Sequence, residues 1–240
     1  MAAVDVYSAS LEPGATRLDC LFDTLSTEER QRAGRFRFVE HRRHYIACRG
    51  MLREILATYL DVFPSQIRFA YNAYGKPVVP GSDVRFNVSH SDGWAMFAVT
   101  RGRDVGIDIE RIEERFMQDQ IPERFFSPRE VETLRGSPPE QQTDAFFRCW
   151  TRKEAYIKAR GLGLALPLDS FDVSLRPDEP AALLRGAGNW SVKELPAPDG
   201  FQAAVVSEGW DWRVVHREMP LPVRPLTVAG QSPSLGRGVR

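Results

Sequence analysis

Two carboxylates lie two residues apart in the stretch VGIDIE, which runs from Val105 to Glu110. On a strand, Asp108 and Glu110 would project to the same side, because successive side chains alternate. Like charges held together repel and raise each other's pKa, so the pair needs a neutralising partner. One interpretation is a solvated strand edge. The other is a site for a hard cation, since Mg²⁺ prefers oxygen ligands and takes only a few of them from protein.

A third carboxylate occurs in WTRKEAYIKARGLGL, where Glu154 precedes Lys158 by one helical turn. Such a pair is often a surface contact worth a few tenths of a kcal/mol. The alternative makes Glu154 a metal ligand or a base, and Lys158 a ligand for phosphate.

The motif FNVSHS contains Ser89 and His90, which would point to opposite faces of a strand. They cannot form a nucleophile and base pair with each other. The chain also lacks a GxSxG elbow, so a serine hydrolase is excluded. His90 is then either a packed residue or a donor to a phosphate oxygen. The nearby YGKP is a turn followed by a cation, but it is not a Walker loop.

A strongly basic segment precedes these motifs. One interpretation is a solvated helix face. The other is that, beside three carboxylates, the segment places a positive pocket for anions next to a negative pocket for metal, as a polyphosphate bridged by Mg²⁺ requires. Its members are Arg30, Arg32, Arg35, Arg37, His41, Arg42, Arg43, His44, Arg49 and Arg53.

The elements that must position these residues alternate between strands and helices. The pattern predicts a strand over residues 3–11, a helix that begins at Ser26 and an amphipathic helix over residues 44–60. Two strands joined at residues 91–93 and the strand VGIDIE follow. Ser127 and Glu130 form a predicted capping box, which makes both structural.

The second part of the chain repeats this order. A helix is expected from Thr143 or Asp144 to about Ala159, closed by Gly161, followed by short strands. We therefore predict an α+β fold of two similar halves, residues 1–104 and 105–218, with a mobile tail over residues 219–240. The element order indicates a duplication, although no repeat is visible at the level of residues.

Composition narrows the class of protein. The 240 residues carry 32 basic and 32 acidic side chains, so no overall charge favours nucleic acid or a membrane surface. Three widely spaced cysteines argue against a disulfide framework and fit a reducing compartment. There is no signal peptide pattern, and no apolar run approaches the roughly 20 residues of a membrane helix. We expect a soluble cytoplasmic protein.

Five motifs in this order, YGKP, FNVSHS, VGIDIE, RFFSPRE and WTRKEAYIKARGLGL, closely resemble those of the 4′-phosphopantetheinyl transferases. The chain is similar to the large monomeric type that serves polyketide and nonribosomal peptide synthetases. The resemblance implies a pseudo-twofold monomer with coenzyme A in the cleft between its halves. It also implies transfer of the phosphopantetheine arm to a serine of an apo acyl, peptidyl or aryl carrier protein, with release of adenosine 3′,5′-bisphosphate.

The resemblance implies roles for individual residues. Asp108, Glu110 and Glu154 would bind Mg²⁺, with Mn²⁺ as an alternative ion. Lys158 and His90 would hold the pyrophosphate, and Glu154 would take the serine proton directly or through a metal-bound water. We expect Mg²⁺, rather than a salt bridge, to neutralise the Asp108 and Glu110 pair. The residues expected to bind the coenzyme are Arg43, Arg49, Gly75, Lys76, Pro77, Ser89, His90 and Lys158.

The sequence departs from the family pattern at one position, and it does not identify the carrier protein. Glu29 stands where some relatives carry a lysine, so Arg30 or Arg32 would take its place. Carrier specificity is expected in a surface groove near residues 111–125. A module that binds coenzyme A or carrier proteins without catalysis, and a Mg²⁺-dependent phosphohydrolase, are the alternatives.

Overall fold

A computed structural model describes residues 1–113, 120–186 and 188–221. It confirms the expected α+β fold, in which strands and helices alternate twice along the chain. Part of the predicted specificity segment and most of the predicted tail lie outside the described residues. Among the helices described, none is long and apolar enough to cross a lipid bilayer.

The first part of the chain contains a hairpin where the sequence predicts it. Ser91 pairs with Trp94, and the two-residue turn between them has positive φ angles of 40° at Asp92 and 78° at Gly93. The elements are β1 (Ala2–Ser10), α1 (Ala15–Asp23), α2 (Thr27–Gly34), α3 (Val39–Leu60), β2 (Ala70–Tyr71), β3 (Pro77–Val78), β4 (Val84–Ser91) and β5 (Trp94–Arg101).

Helix α1 was not predicted, because its sequence carries few local signals. It has no capping side chain and no acidic residue in its first turn. Packing supplies what capping does not: Leu18 and Leu21 are buried, and Gly50 of α3 lies against Leu21. Tertiary contacts therefore decide this helix, as is common for short helices.

The second part begins with the strand VGIDIE and centres on a 22-residue helix. The predicted start of that helix at Thr143 or Asp144 is wrong, because the helix begins at Pro139, a residue suited to the first helical position. Its end at Gly161 is confirmed. The elements are β6 (Val105–Arg111), α4 (Ile121–Phe125), α5 (Pro128–Arg135), α6 (Pro139–Arg160), β7 (Asp172–Val173), β8 (Leu183–Arg185), β9 (Trp190–Glu194), β10 (Phe201–Glu208) and β11 (Trp212–Arg217).

Two main sheets form the frame, with strand orders β11-β1-β5-β4 and β6-β10-β9. Helix α3 packs on the first sheet and α6 on the second. A third apolar cluster joins both sheets, and it includes Val105, Ile107 and Ile109. The predicted apolar face of VGIDIE is thus confirmed.

Strand β11 completes the first sheet by pairing parallel with β1, although it comes from the end of the described chain. The second part of the chain therefore contributes a strand to the first sheet. The boundary between residues 104 and 105 stays a prediction.

Candidate active site

The centre of the site is the contact between strand β6 and helix α6. A Cβ atom on Gly106 would lie 2.1 Å from the carbonyl oxygen of Ala155 and 2.2 Å from the backbone nitrogen of Ala159. Only a glycine permits so close an approach. Asp108 and Glu110 follow Gly106 at intervals of two residues, so they project on the same side of the strand as Gly106, the side that faces α6.

Asp108 lies buried in this contact and is only 1% exposed. Its Oδ1 atom accepts hydrogen bonds from Lys158 Nζ at 2.6 Å and from Ser89 Oγ at 2.8 Å. Lys158 also donates to Ser89 Oγ at 2.8 Å. The expectation that no salt bridge neutralises Asp108 is therefore wrong, because α6 brings Lys158 directly over the strand.

The second oxygen of Asp108 has a different environment. Oδ2 is buried and has no hydrogen-bond partner among the described residues. A buried carboxylate oxygen without a partner is costly unless a further ligand meets it. Hard oxygen donors of this kind are the ligands that Mg²⁺ prefers, so the residues present fit the implied ion.

Glu110 and Glu154 share the electrostatic field of Asp108. Burial raises the pKa of Glu110 to about 7, and the negative charge of Asp108 adds to this shift. Burial and Asp108 also raise the pKa of Glu154. Burial acts to lower the pKa of Lys158, but Asp108 and the two glutamates outweigh it, so the pKa is raised and the ammonium stays charged.

The oxygens of the three predicted metal ligands do not all converge. In the described part of the chain, Glu12, Glu40 and His44 have ligand atoms within 4.8 Å of one another, whereas the three carboxylates are not a group of this kind. Two of the three, Asp108 and Glu110, lie on β6, and the third, Glu154, lies on α6.

Strand β4 supplies polar contacts to β6 at every second residue. Asn87 Oδ1 accepts from the backbone nitrogen of Ile107 at 2.8 Å, and Ser91 Oγ donates to Glu110 at 2.9 Å. Ser89 lies between them and contacts Asp108. The sequence interpretation gave neither Asn87 nor Ser91 a role in the site, although their spacing of two residues from Ser89 in FNVSHS is the signal that identifies them.

A cavity of about 830 Å³ opens beside this contact, between α3 and the β4–β5 hairpin. Burial lowers the pKa of His90, which lines the cavity, and the charges of Lys158 and His44 lower it further. Of the predicted coenzyme residues, Arg49, Pro77 and His90 line it. Its other lining residues are Leu11, Arg32, Phe36, Glu40, His41, His44, Tyr45, Cys48, Leu52, Asn87, Val88, Ser91, Asp92 and Gly93.

The basic residues predicted to bind anions or the coenzyme differ in their surroundings. Arg49 Nε donates to Glu29 at 2.5 Å, so its charge is already partly paired. Arg32 lines the cavity, whereas Arg30 donates to backbone carbonyls near α1, so Arg32 is the better placed of the two alternatives. Arg43 lies outside this cavity and donates to the carbonyl oxygen of Pro13.

The turn that contains Gly75 and Lys76 does not line this cavity. Gly75 is exposed and has a φ angle of +85°, which the turn requires. Lys76 Nζ lies instead against two backbone carbonyl oxygens, those of Val105 and Ala159. The predicted contact of both residues with the coenzyme stays a prediction.

Comparison with known proteins identifies the family of this chain. Residues 104–206 match the 4′-phosphopantetheinyl transferase superfamily model, and residues 9–101 match a model of the N-terminal part of 4′-phosphopantetheinyl transferases. The chain is 43% identical to the 4′-phosphopantetheinyl transferase HetI of a Nostoc species, over 88% of this chain and 90% of HetI. It is 37% identical to the 4′-phosphopantetheinyl transferase Sfp of Bacillus subtilis, over 64% of this chain and 68% of Sfp. The chain belongs to the 4′-phosphopantetheinyl transferase family of enzymes.

Proposed function

We propose that this enzyme transfers the 4′-phosphopantetheine group of coenzyme A to a serine of an apo carrier protein, and that it depends on Mg²⁺. The observation that carries the proposal is the buried Asp108, whose Oδ2 atom has no hydrogen-bond partner while Oδ1 is held by Ser89 and Lys158. The cavity of about 830 Å³ beside it supports a large anionic substrate, because Arg32 and three histidines line it.

The divalent ion, when bound, would supply positive charge to the pyrophosphate and to the leaving bisphosphate. Asp108, Glu110 and Glu154 are the residues that would hold it. Lys158 remains protonated because of its acidic neighbours, so it offers a charged donor to a phosphate oxygen. His90 lies on the cavity wall, where it can donate to the same group. Phosphoryl transfer depends mainly on such positioning and charge stabilisation.

Glu154 is the proposed general base for the serine hydroxyl. Burial and Asp108 raise the pKa of Glu154 toward neutral pH, and a general base is most effective when its pKa lies near the pH at which it works. The carboxylate would take the proton directly or through a water. Ser89 is not a candidate nucleophile, because its hydroxyl is committed to Asp108 and Lys158.

Intact-protein mass spectrometry on apo carriers tests this function. We expect the mass of an acyl, peptidyl, aryl or aminoadipate-type carrier to rise by one phosphopantetheine, only with coenzyme A and Mg²⁺. A carrier whose acceptor serine is changed to alanine is the control. Carriers of polyketide and nonribosomal peptide synthesis are the first choice, because the motifs resemble the type that serves them.

Other outcomes of the same experiment contradict the proposal. Binding of coenzyme A without transfer to any carrier would indicate a binding module. Release of adenosine 3′,5′-bisphosphate without an acceptor would indicate a phosphohydrolase. Full transfer after removal of divalent ions by a chelator would contradict the metal requirement.

A further inference from the structure

The turn between β2 and β3 reaches across to the catalytic elements. Lys76 Nζ donates to the carbonyl oxygen of Val105 at 3.1 Å and to that of Ala159 at 2.8 Å. Asn72 Nδ2 donates to the carbonyl oxygen of Gly161 at 2.8 Å. Three hydrogen bonds thus join this exposed turn to residues that are 29 to 89 positions away in the chain.

The turn is itself held in shape. Asn72 Oδ1 accepts from the backbone nitrogens of Tyr74 and Lys76, both at 2.9 Å. One side chain therefore fixes the turn through its oxygen and contacts α6 through its nitrogen. The turn also packs closely on the helix end, because a Cβ on Gly161 would lie 3.0 Å from Lys76 Cδ and 3.1 Å from Asn72 Nδ2.

The carbonyls that the turn contacts belong to the two elements that form the site. Val105 is the first residue of β6, which carries Asp108 and Glu110. Ala159 lies in the last turn of α6, which carries Glu154. The last carbonyls of a helix have no intrahelical donor and carry partial negative charge, so a donor such as the half-buried amine of Lys76 satisfies them.

We infer that Lys76 and Asn72 are positioning residues, which hold β6 and α6 at the spacing that the transfer reaction requires. Lys76 bridges the start of the strand and the end of the helix, while Asn72 holds the carbonyl of Gly161, two residues beyond Ala159. The inference rests on the proposed function of this site. It gives Lys76 a role that differs from the direct coenzyme contact expected from the sequence.

Steady-state kinetics of Lys76→Met separates the two roles. Methionine keeps the length of the side chain but removes its donors. We expect kcat to fall by roughly 10- to 100-fold, as for the loss of a residue that orients a ligand set, with the KM for coenzyme A within about twofold. Lys76→Arg, which restores a charged donor, should recover part of the kcat. A rise in KM of about tenfold or more at unchanged kcat would overturn the inference in favour of direct coenzyme binding.

A second variant isolates the helix contact. Asn72→Asp keeps the oxygen that fixes the turn and loses the donor to Gly161, so a smaller fall in kcat is expected. Arg85→Met is the matched control, because Arg85 lines the same small cavity as Lys76 but donates to Ser82 and Val84. Its kinetics should match those of the wild type.

Hydrogen exchange gives a measure that does not depend on activity. We expect Lys76→Met and Asn72→Asp to speed amide exchange in the last turn of α6, and Arg85→Met to leave it unchanged. Unchanged exchange in both test variants would overturn the inference. If the wild type transfers nothing to any carrier, the proposed function fails, while the exchange experiment still tests the contact.

Discussion

The two parts of the chain contain similar buried networks around their long helices. In the first part, Ser26 and Glu29 form a capping box at the start of α2. Glu29 accepts from Arg53 Nε of α3 at 2.7 Å. Arg53 also donates to the carbonyl oxygens of Pro64 and Ile67, at 2.7 and 3.2 Å. The buried guanidinium of Arg53 thus joins the capping carboxylate of α2 to the segment that follows α3.

The second part has the same arrangement with other residues. Ser127 and Glu130 form the capping box of α5, and Lys153 Nζ of α6 lies 2.7 Å from Glu130. Lys153 donates to the carbonyl oxygens of Leu168 and Phe171 at 2.6 and 2.7 Å. The likeness supports a duplication, although the sequence by itself shows no repeat of residues.

The next residue along each helix is a glutamate, and here the two parts differ. Glu54 of α3 is buried and bound by Arg17 of α1, with Nη1 at 2.7 Å from Oε1. Glu154 of α6 instead faces the field of Asp108 and Lys158. The glutamate at this helix position therefore forms a structural ion pair in the first part, whereas in the second part it belongs to the candidate active site.

The first strand of each part shows the same contrast. On β1, Asp5 accepts from Tyr59 of α3 at 2.6 Å and from Arg217 at 2.9 Å, so both its oxygens have partners. On β6, Oδ2 of Asp108 has no such partner in the described residues. The two parts therefore share an arrangement of strand and helix, and the site forms in the part where a buried carboxylate oxygen has no partner within the chain that the structure describes and can bind a ligand.

Replacing Asp108 on β6 and Asp5 on β1 by asparagine should give the largest difference in transfer rate between the two parts of the chain. We expect Asp108→Asn to lower the transfer rate by about 100- to 1,000-fold, the scale of losing one preorganised electrostatic group. Asp5→Asn, which removes the same charge from β1, should keep the rate within about twofold of the wild type. Rates of carrier modification by mass spectrometry, with circular dichroism to confirm folding, measure both. Equal rates in the two variants would remove the distinction between the strands.

Two glycines at close helix contacts give the next comparison. Gly106→Ala would push α6 away from β6, because the new Cβ meets backbone atoms at 2.1 and 2.2 Å. Gly50→Ala would push α1 from α3, with Leu21 Cβ at 2.7 Å. Both should lower the free energy of unfolding by about 1–3 kcal/mol, measured by denaturant titration.

Activity per folded molecule should separate these glycine variants. We expect Gly106→Ala to lose about 100-fold, since a displacement of about 1 Å between catalytic groups has that effect. Gly50→Ala should retain nearly full activity. If both variants lose activity equally, the two contacts are not functionally distinct.

The smallest expected difference is in how thermal stability depends on pH, compared between the wild type and a variant at Glu110. Glu110 has a pKa raised from 4.5 to about 7 in the folded chain. Between these values the folded state holds a proton that the unfolded state releases, so stability falls as pH rises from about 4.5 to 7. Without divalent ions, we expect Tm to fall by a few degrees over this range, and less in Glu110→Gln; about 2–4 °C corresponds to 1 kcal/mol.

Added Mg²⁺ should raise Tm more at pH 8 than at pH 5.5, because the ion binds the deprotonated carboxylates. Scanning calorimetry with and without Mg²⁺ measures this. Asp5→Asn should leave the dependence intact. An equal fall of Tm with pH in Glu110→Gln and in the wild type would contradict the role of Glu110.

The amino-acid sequence determined the local features of this protein, because their signals lie within a few residues. The helix start at Ser26, the capping box at Ser127, the turn at Asp92 and Gly93, and the alternation along β6 were all predicted. The order of five motifs also identified the family, since it depends on the chain alone.

Only the tertiary structure decided the partners of the charged residues. Lys158 binds Asp108, Arg49 binds Glu29, and Lys76 binds the backbone of the catalytic elements. These contacts join positions that are 20 to 83 residues apart. They depend on which helix crosses which strand, and at what distance, and no spacing in the sequence encodes that.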